Sequence, residues 1–137
     1  MKDINMKMRK FLQNKLWRDK AVEGMEQMGS KINWERLDDA QYDKQLRLKL
    51  IEESNEVVGA QSPDEVRDEL ADVLEVMQTL CTLHNITWDD IVRAQDQKRI
   101  DRGGFEGRKF VTTAEHPVGG YGEKYCLKDP EKYPEVL

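Results

Sequence analysis

Cysteine, proline and aromatic side chains are all scarce in this chain, and no long apolar run interrupts it. The two cysteines, Cys81 inside an apolar helical run and Cys126 near the end, match neither a zinc-ligand spacing nor a secreted disulfide framework. They read as thiols in a reducing compartment. No segment is apolar for long enough to cross a bilayer or to serve as a signal-peptide core. The basic start, Met1 to Lys20, resembles a transit peptide only superficially, because it carries Asp3 and Asp19. Several motifs are missing as well. There is no Asp-x-Asp-x-Asp-Gly calcium loop, no phosphate-cradling P-loop and no Glu-x-x-His pair of the kind a di-iron bundle needs. A net charge of −5 argues against a nucleic-acid partner. It leaves anionic small molecules open, because a bound cation reverses the local field.

What is present is charge and helical period. Charged residues make up 36% of the 137 positions, almost matching the 38% that are hydrophobic. That balance suits one helical domain with long solvated faces, or thin protomers that assemble. A first helix is expected from about Asn5 through Met28, broken near Trp17 and closed by Gly29. Asp38 offers an N-cap for a second helix from about Asp39 to Val58, ending at Gly59, with Leu46, Leu50, Val57 and Val58 as its apolar stripe. Ser62-Pro63-Asp64-Glu65 is the clearest helix start in the chain: Ser62 caps, Pro63 takes the first helical position, and Glu65 can reach back to the Ser62 amide. The third helix then runs to about His84 on Val66, Leu70, Val73, Met77 and Leu80. Thr87 and Asp90 cap a fourth, from about Trp88 to Arg102, stopped by Gly103-Gly104. Phe105 to Thr112 reads as a short extended segment, and everything from Thr113 onward as irregular.

The informative residues are acidic. Glu52, Glu53 and Glu56 lie in one apolar helix, and Glu69 and Asp72 lie in the next. Helical residues three or four apart are surface neighbours, so Glu53 projects with Glu56, and Glu69 with Asp72. The short connector Ala60-Gln61-Ser62 folds the two helices into an antiparallel hairpin, which can converge all four carboxylates. Two carboxylates about 6 Å apart repel by roughly 3 kcal/mol at an effective dielectric near 20. Four of them need cations, protons or a distorted backbone. An all-oxygen set favours Mg²⁺ or Mn²⁺ over zinc.

These residues carry a resemblance. Glu52-Glu53-Ser54-Asn55-Glu56 followed by Glu69-Leu70-Ala71-Asp72 resembles the signature of the all-α nucleotide pyrophosphohydrolases, the MazG-like and phosphoribosyl-ATP pyrophosphohydrolase-like group. Leu16-Trp17-Arg18-Asp19-Lys20 is similar to the N-terminal element of that group, and Lys98 through Phe105 to its Lys-x-x-x-Arg-Gly-Gly-Phe element. The resemblance implies hydrolysis of a nucleoside triphosphate to the monophosphate and pyrophosphate, with a role in clearing non-standard or excess nucleotides. It implies Glu53, Glu56, Glu69 and Asp72 as Mg²⁺ ligands, and Glu52 with Glu53 as the catalytic carboxylates. Glu52 would orient or deprotonate the attacking water, or touch a second metal. Lys98 and Arg102, at i and i+4 on one helix face, would bind the phosphates, with Arg18 and Lys20 as further candidates. Trp17, Trp34, Trp88 and Phe105 are the aromatic candidates for stacking on a base, and none of them is assigned.

The expectation is therefore an all-α, four-helix, bundle-forming fold completed by homo-oligomerisation into a dimer or tetramer. Residues 1–112 form the domain and 113–137 a C-terminal arm. The protein is expected to be cytoplasmic, with no membrane and no nucleic-acid partner. Two alternatives stand beside the leading activity. One is hydrolysis of phosphoribosyl-ATP in histidine synthesis, and the other a non-enzymatic helical protein whose acidic face binds a basic partner.

Overall fold

The computed structural model describes residues 6–137, and within them the protein is all helical, with no strand. Five helices follow in order: α1 Asp19–Gln27, α2 Asp39–Gly59, α3 Pro63–Leu83, α4 Trp88–Arg102 and α5 Tyr121–Leu127. The chain divides into two compact units, Met1–Gln97 and Lys98–Leu137, the division falling inside α4.

Local chemistry sets most of these boundaries. Asp38 Oδ1 accepts from the Gln41 amide at 2.8 Å and starts α2. Ser62 Oγ accepts from the Glu65 amide at 3.1 Å and starts α3, with Pro63 in its first turn. The Glu65 carboxylate, expected on the Ser62 amide, instead accepts from the Gln61 amide at 2.8 Å, one residue further into the connector. Thr87 and Asp90 form a reciprocal box at the head of α4: Thr87 Oγ1 accepts from the Asp90 amide, and Asp90 Oδ2 from the Thr87 amide. Asn85, at φ 56°, supplies the left-handed residue that ends α3.

Three expectations need correction. The first helix is shorter than its sequence suggests: it begins at Asp19, and residues 6–18 are not helical. Asn5, where the pattern placed its start, lies outside the described residues. Asn14 sits at φ 48°, a left-handed conformation that stops a right-handed helix, and Arg18 is extended at ψ 143°. Phe105 to Thr112 forms no strand. The segment after Thr113 is not wholly irregular, because α5 forms there. The Gly119 amide donates to the Glu123 carboxylate at 3.1 Å, and Tyr121 and Tyr125, four apart, stack with centroids 6.2 Å apart.

Packing in the first unit rests on α2 against α3. Leu46 from α2 and Val76 from α3 are its buried hydrophobic side chains among the described residues. Leu50, Val57, Val66, Val73, Met77 and Leu80 of the expected stripes are half-buried, whereas Val58 and Leu70 are exposed. Leu48, Ile51 and Leu74 on the same two helices are exposed as well. An antiparallel pair of helices can bury only the seam between them, so the flanking apolar rows stay open.

One polar clasp ties the far end of the hairpin. His84, just past α3, pairs through Nε2 with Asp43 Oδ1 on α2, and Arg47 Nε reaches both Asp43 oxygens at 3.1 Å. The hydrogen bond from His84, then those from Arg47, hold the Asp43 carboxyl below its ordinary value of 3.8. A depressed acid stabilises the fold in full above that ordinary value, and the stabilisation drains away as pH falls through the lowered one. Asp43→Asn is expected to lower Tm at pH 6 and to flatten the decline of Tm below pH 4, as thermal melts between pH 2.5 and 6 would measure. An unchanged acid limb would count against the clasp.

Candidate functional site

The α2–α3 connector is short because Gly59 and Ala60 end one helix and Ser62 caps the next. The register that follows brings Glu53 of α2 opposite Glu69 and Asp72 of α3. One carboxylate oxygen of each lies within 4.8 Å of the others, and all three side chains are half-buried. Glu56 is exposed and stands outside this tight group, yet it lines the same groove as Glu69. That groove, about 410 Å³ and open to solvent, is lined by Glu52, Asn55, Glu56, Gly59, Ala60, Glu65 and Glu69.

Charge is compensated unevenly across the cluster. Arg18 Nη2 lies 2.7 Å from Asp72 Oδ1. Lys49 Nζ sits 3.3 Å from Glu53 and 3.0 Å from Glu52 Oε2, while Lys15 Nζ holds Glu52 Oε1 at 2.8 Å. No cation among the described residues pairs with Glu69. Burial, followed by the charges of Glu56, Asp72, Glu53 and Asp68, pushes its carboxyl above the ordinary 4.5. Glu52 moves the other way, held below 4.5 chiefly by the Lys15 hydrogen bond, against the opposing effect of burial and with further help from Lys49. Lys15 in turn is raised above 10.5, first by Glu52.

The structure thus gathers Glu53, Glu69 and Asp72, places Glu52 and Glu56 on the adjoining groove, and attaches Arg18 to Asp72. Lys20 stands exposed in the first turn of α1 and makes no ion pair among the described residues. Lys98 and Arg102 lie exposed on the last turns of α4, in the second unit. There Arg99 rather than Lys98 or Arg102 pairs with Glu106, at 2.6 Å. Of the aromatic candidates, Phe105 is the most exposed, Trp34 is exposed, and Trp17 is half-buried.

Two residues of the site were missed in the sequence reading. Lys49 carried a usable signal, being three and four residues before Glu52 and Glu53 on one helix. Lys15 carried none, because 37 residues separate it from Glu52.

With this geometry in hand, a family comparison decides the class. The family described as Phosphoribosyl-ATP pyrophosphohydrolase matches residues 26–99, more than half of the chain. The chain belongs to that family. No curated protein and no solved structure matches it. The matched stretch contains both acidic helices and the connector between them. The protein is accordingly a nucleotide pyrophosphohydrolase, a hydrolase of phosphoanhydride bonds in an all-α fold. The phosphoribosyl-ATP pyrophosphohydrolase family typically depends on a divalent metal. The donor set here fits one: three convergent, half-buried carboxylate oxygens, one of them without a protein cation, are hard ligands suited to such an ion. No helix among the described residues is long and apolar enough to cross a membrane.

Proposed function

We propose that this chain hydrolyses a nucleoside triphosphate to the monophosphate and pyrophosphate, using Mg²⁺ with Mn²⁺ as a substitute. The observation that carries the reading is the convergence of Glu53, Glu69 and Asp72 beside a groove lined by further carboxylates. Glu53, Glu69 and Asp72 would hold the ion, with Glu56 as the fourth ligand. When bound, the ion polarises phosphate oxygens and makes bound water more acidic.

Glu52 is the catalytic neighbour. Both of its oxygens are held by ammonium groups, which fixes the carboxylate in one place and keeps it ionised. A carboxylate held below its ordinary pKa is a weak proton acceptor but a good hydrogen-bond acceptor. This favours orienting the attacking water over deprotonating it. Arg18 and Lys20, in the same unit as the acid cluster, are the cations assigned to the phosphates, where they would offset charge developing during transfer. The activity would serve nucleotide-pool clearance in the cytoplasm.

The family's own name supports a second substrate, phosphoribosyl-ATP. One assay separates the two readings. Purified protein with Mg²⁺ is offered ribo-, deoxy- and modified triphosphates alongside phosphoribosyl-ATP, and monophosphate and pyrophosphate are measured. Pyrophosphate release from the triphosphates supports the leading reading. Release from phosphoribosyl-ATP alone supports the second, and release from none sinks both.

We also propose that the working form is a homo-oligomer. Leu48, Ile51, Leu70 and Leu74 are exposed on the two helices that carry the acid cluster, and burying such rows is worth about 25 cal/mol per Å². Light scattering behind size exclusion should give at least twice the 16.0 kDa of the chain. A monomer at micromolar concentration would refute this.

A further inference from the structure

The segment before α1 places two cations three residues apart, one on each helix of the hairpin. Lys15 reaches Glu52 on α2, and Arg18 reaches Asp72 on α3. Between them, Leu16 and Trp17 are half-buried, whereas the Arg18 side chain is 60% exposed. The apolar pair therefore anchors the segment, and the guanidinium is the more exposed of its two cations, Lys15 being 43% exposed. The two acids also differ in kind. Asp72 belongs to the cluster of three, and Glu52 does not.

We propose that Arg18 is a resident counter-ion of Asp72 that yields this carboxylate to the divalent cation, and that Lys15 keeps Arg18 beside the site afterwards. This rests on the metal reading given above. A guanidinium hydrogen-bonded to Asp72 draws on the same charge that a divalent ion requires, so the two compete for it. Glu52 stays with Lys15, because that pair lies outside the ligand group. The released guanidinium remains tethered three residues from Lys15, and its planar fork matches phosphate oxygens. One side chain thus offsets charge in the cluster before the metal binds and is then free for the anionic ligand that accompanies it. Linkage makes the competition reciprocal: whatever weakens the Arg18–Asp72 pair strengthens cation binding.

The experiment is calorimetric titration of Mn²⁺ into the full chain without nucleotide, comparing wild type with Arg18→Gln, Arg18→Lys and Lys15→Met. Circular dichroism verifies that each variant keeps its helices. Arg18→Gln should bind Mn²⁺ about two- to fivefold more tightly, the equivalent of one exposed ion pair removed. Arg18→Lys should stay near wild type, and Lys15→Met should gain less than Arg18→Gln. With Mn²⁺ saturating, a non-hydrolysable triphosphate should bind Arg18→Gln more weakly than wild type. Unchanged or weaker Mn²⁺ binding by Arg18→Gln overturns the inference while leaving the metal reading intact. An equal or larger gain in Lys15→Met overturns it too, because the effect would then be general charge rather than competition at Asp72. A wild-type protein that binds no Mn²⁺ removes the metal reading, and the inference with it.

Discussion

Glu69→Gln is expected to raise the melting temperature of the metal-free protein while lowering kcat/KM by about 10²-fold or more, the cost of losing one electrostatic element of a site. The two effects have opposite signs because Glu69 stands alone. Its neighbours Asp72 and Glu53 each have a basic partner, but no described cation pairs with Glu69. Burial and four nearby acids raise its pKa. An acid with a raised folded pKa weakens the fold at neutral pH, and the penalty is relieved as pH falls and the group takes up its proton. Gln removes that penalty at once. It also removes a ligand, so the rise in Tm that Mg²⁺ gives wild type should vanish. Ligand at a hundred times its Kd stabilises a protein by about 2.7 kcal/mol, several degrees for a chain of this size. Melts at pH 7.5 with EDTA and with excess Mg²⁺ measure both halves. If Gln lowers the metal-free Tm, Glu69 is compensated in a way the cluster geometry does not contain.

That uneven compensation was partly legible in the sequence. Helical spacing paired Glu69 with Asp72, and the short connector after Gly59 implied the hairpin that brings Glu53 to them. Both signals are local, and the Ser62-Pro63 start needs nothing beyond its own turn. Glu56 shows the limit of such reasoning. Spacing puts it beside Glu53, but helix twist leaves it exposed on the groove instead of in the tight cluster. The cations were harder to read. Arg18 and Lys15 act across 54 and 37 residues, from a stretch whose apolar and basic residues imitate a helix. Asn14 in a left-handed turn and two long-range ion pairs override that local preference. The open apolar rows on α2 and α3 follow the same logic, since periodicity marks which residues avoid water without saying what covers them.

Glu52→Gln tests the other half of the site, where the carboxylate is over-compensated. Lys15 and Lys49 bind its two oxygens at 2.8 and 3.0 Å, and Glu52 lies outside the group of three. Losing it should therefore leave Mn²⁺ binding and KM close to wild type. The turnover number should fall by about 10²-fold or more, the lower part of the range for a positioned acid–base group. Gln keeps the shape but offers one oxygen where Glu52 offered two, so it cannot satisfy both lysines and a water. Lys15→Met approaches the same defect from the other side: the carboxylate stays, but only Lys49 still holds it. A smaller loss of turnover is expected there, with Lys15→Arg restoring most of it. Steady-state kinetics on the best triphosphate, with Mn²⁺ affinity measured separately, distinguish the possibilities. If Glu52→Gln weakens metal binding as much as Glu69→Gln does, Glu52 is a ligand and the lysines compete with the ion. If turnover survives, the attacking water is oriented elsewhere, and the doubly held carboxylate serves only to anchor the N-terminal segment to α2.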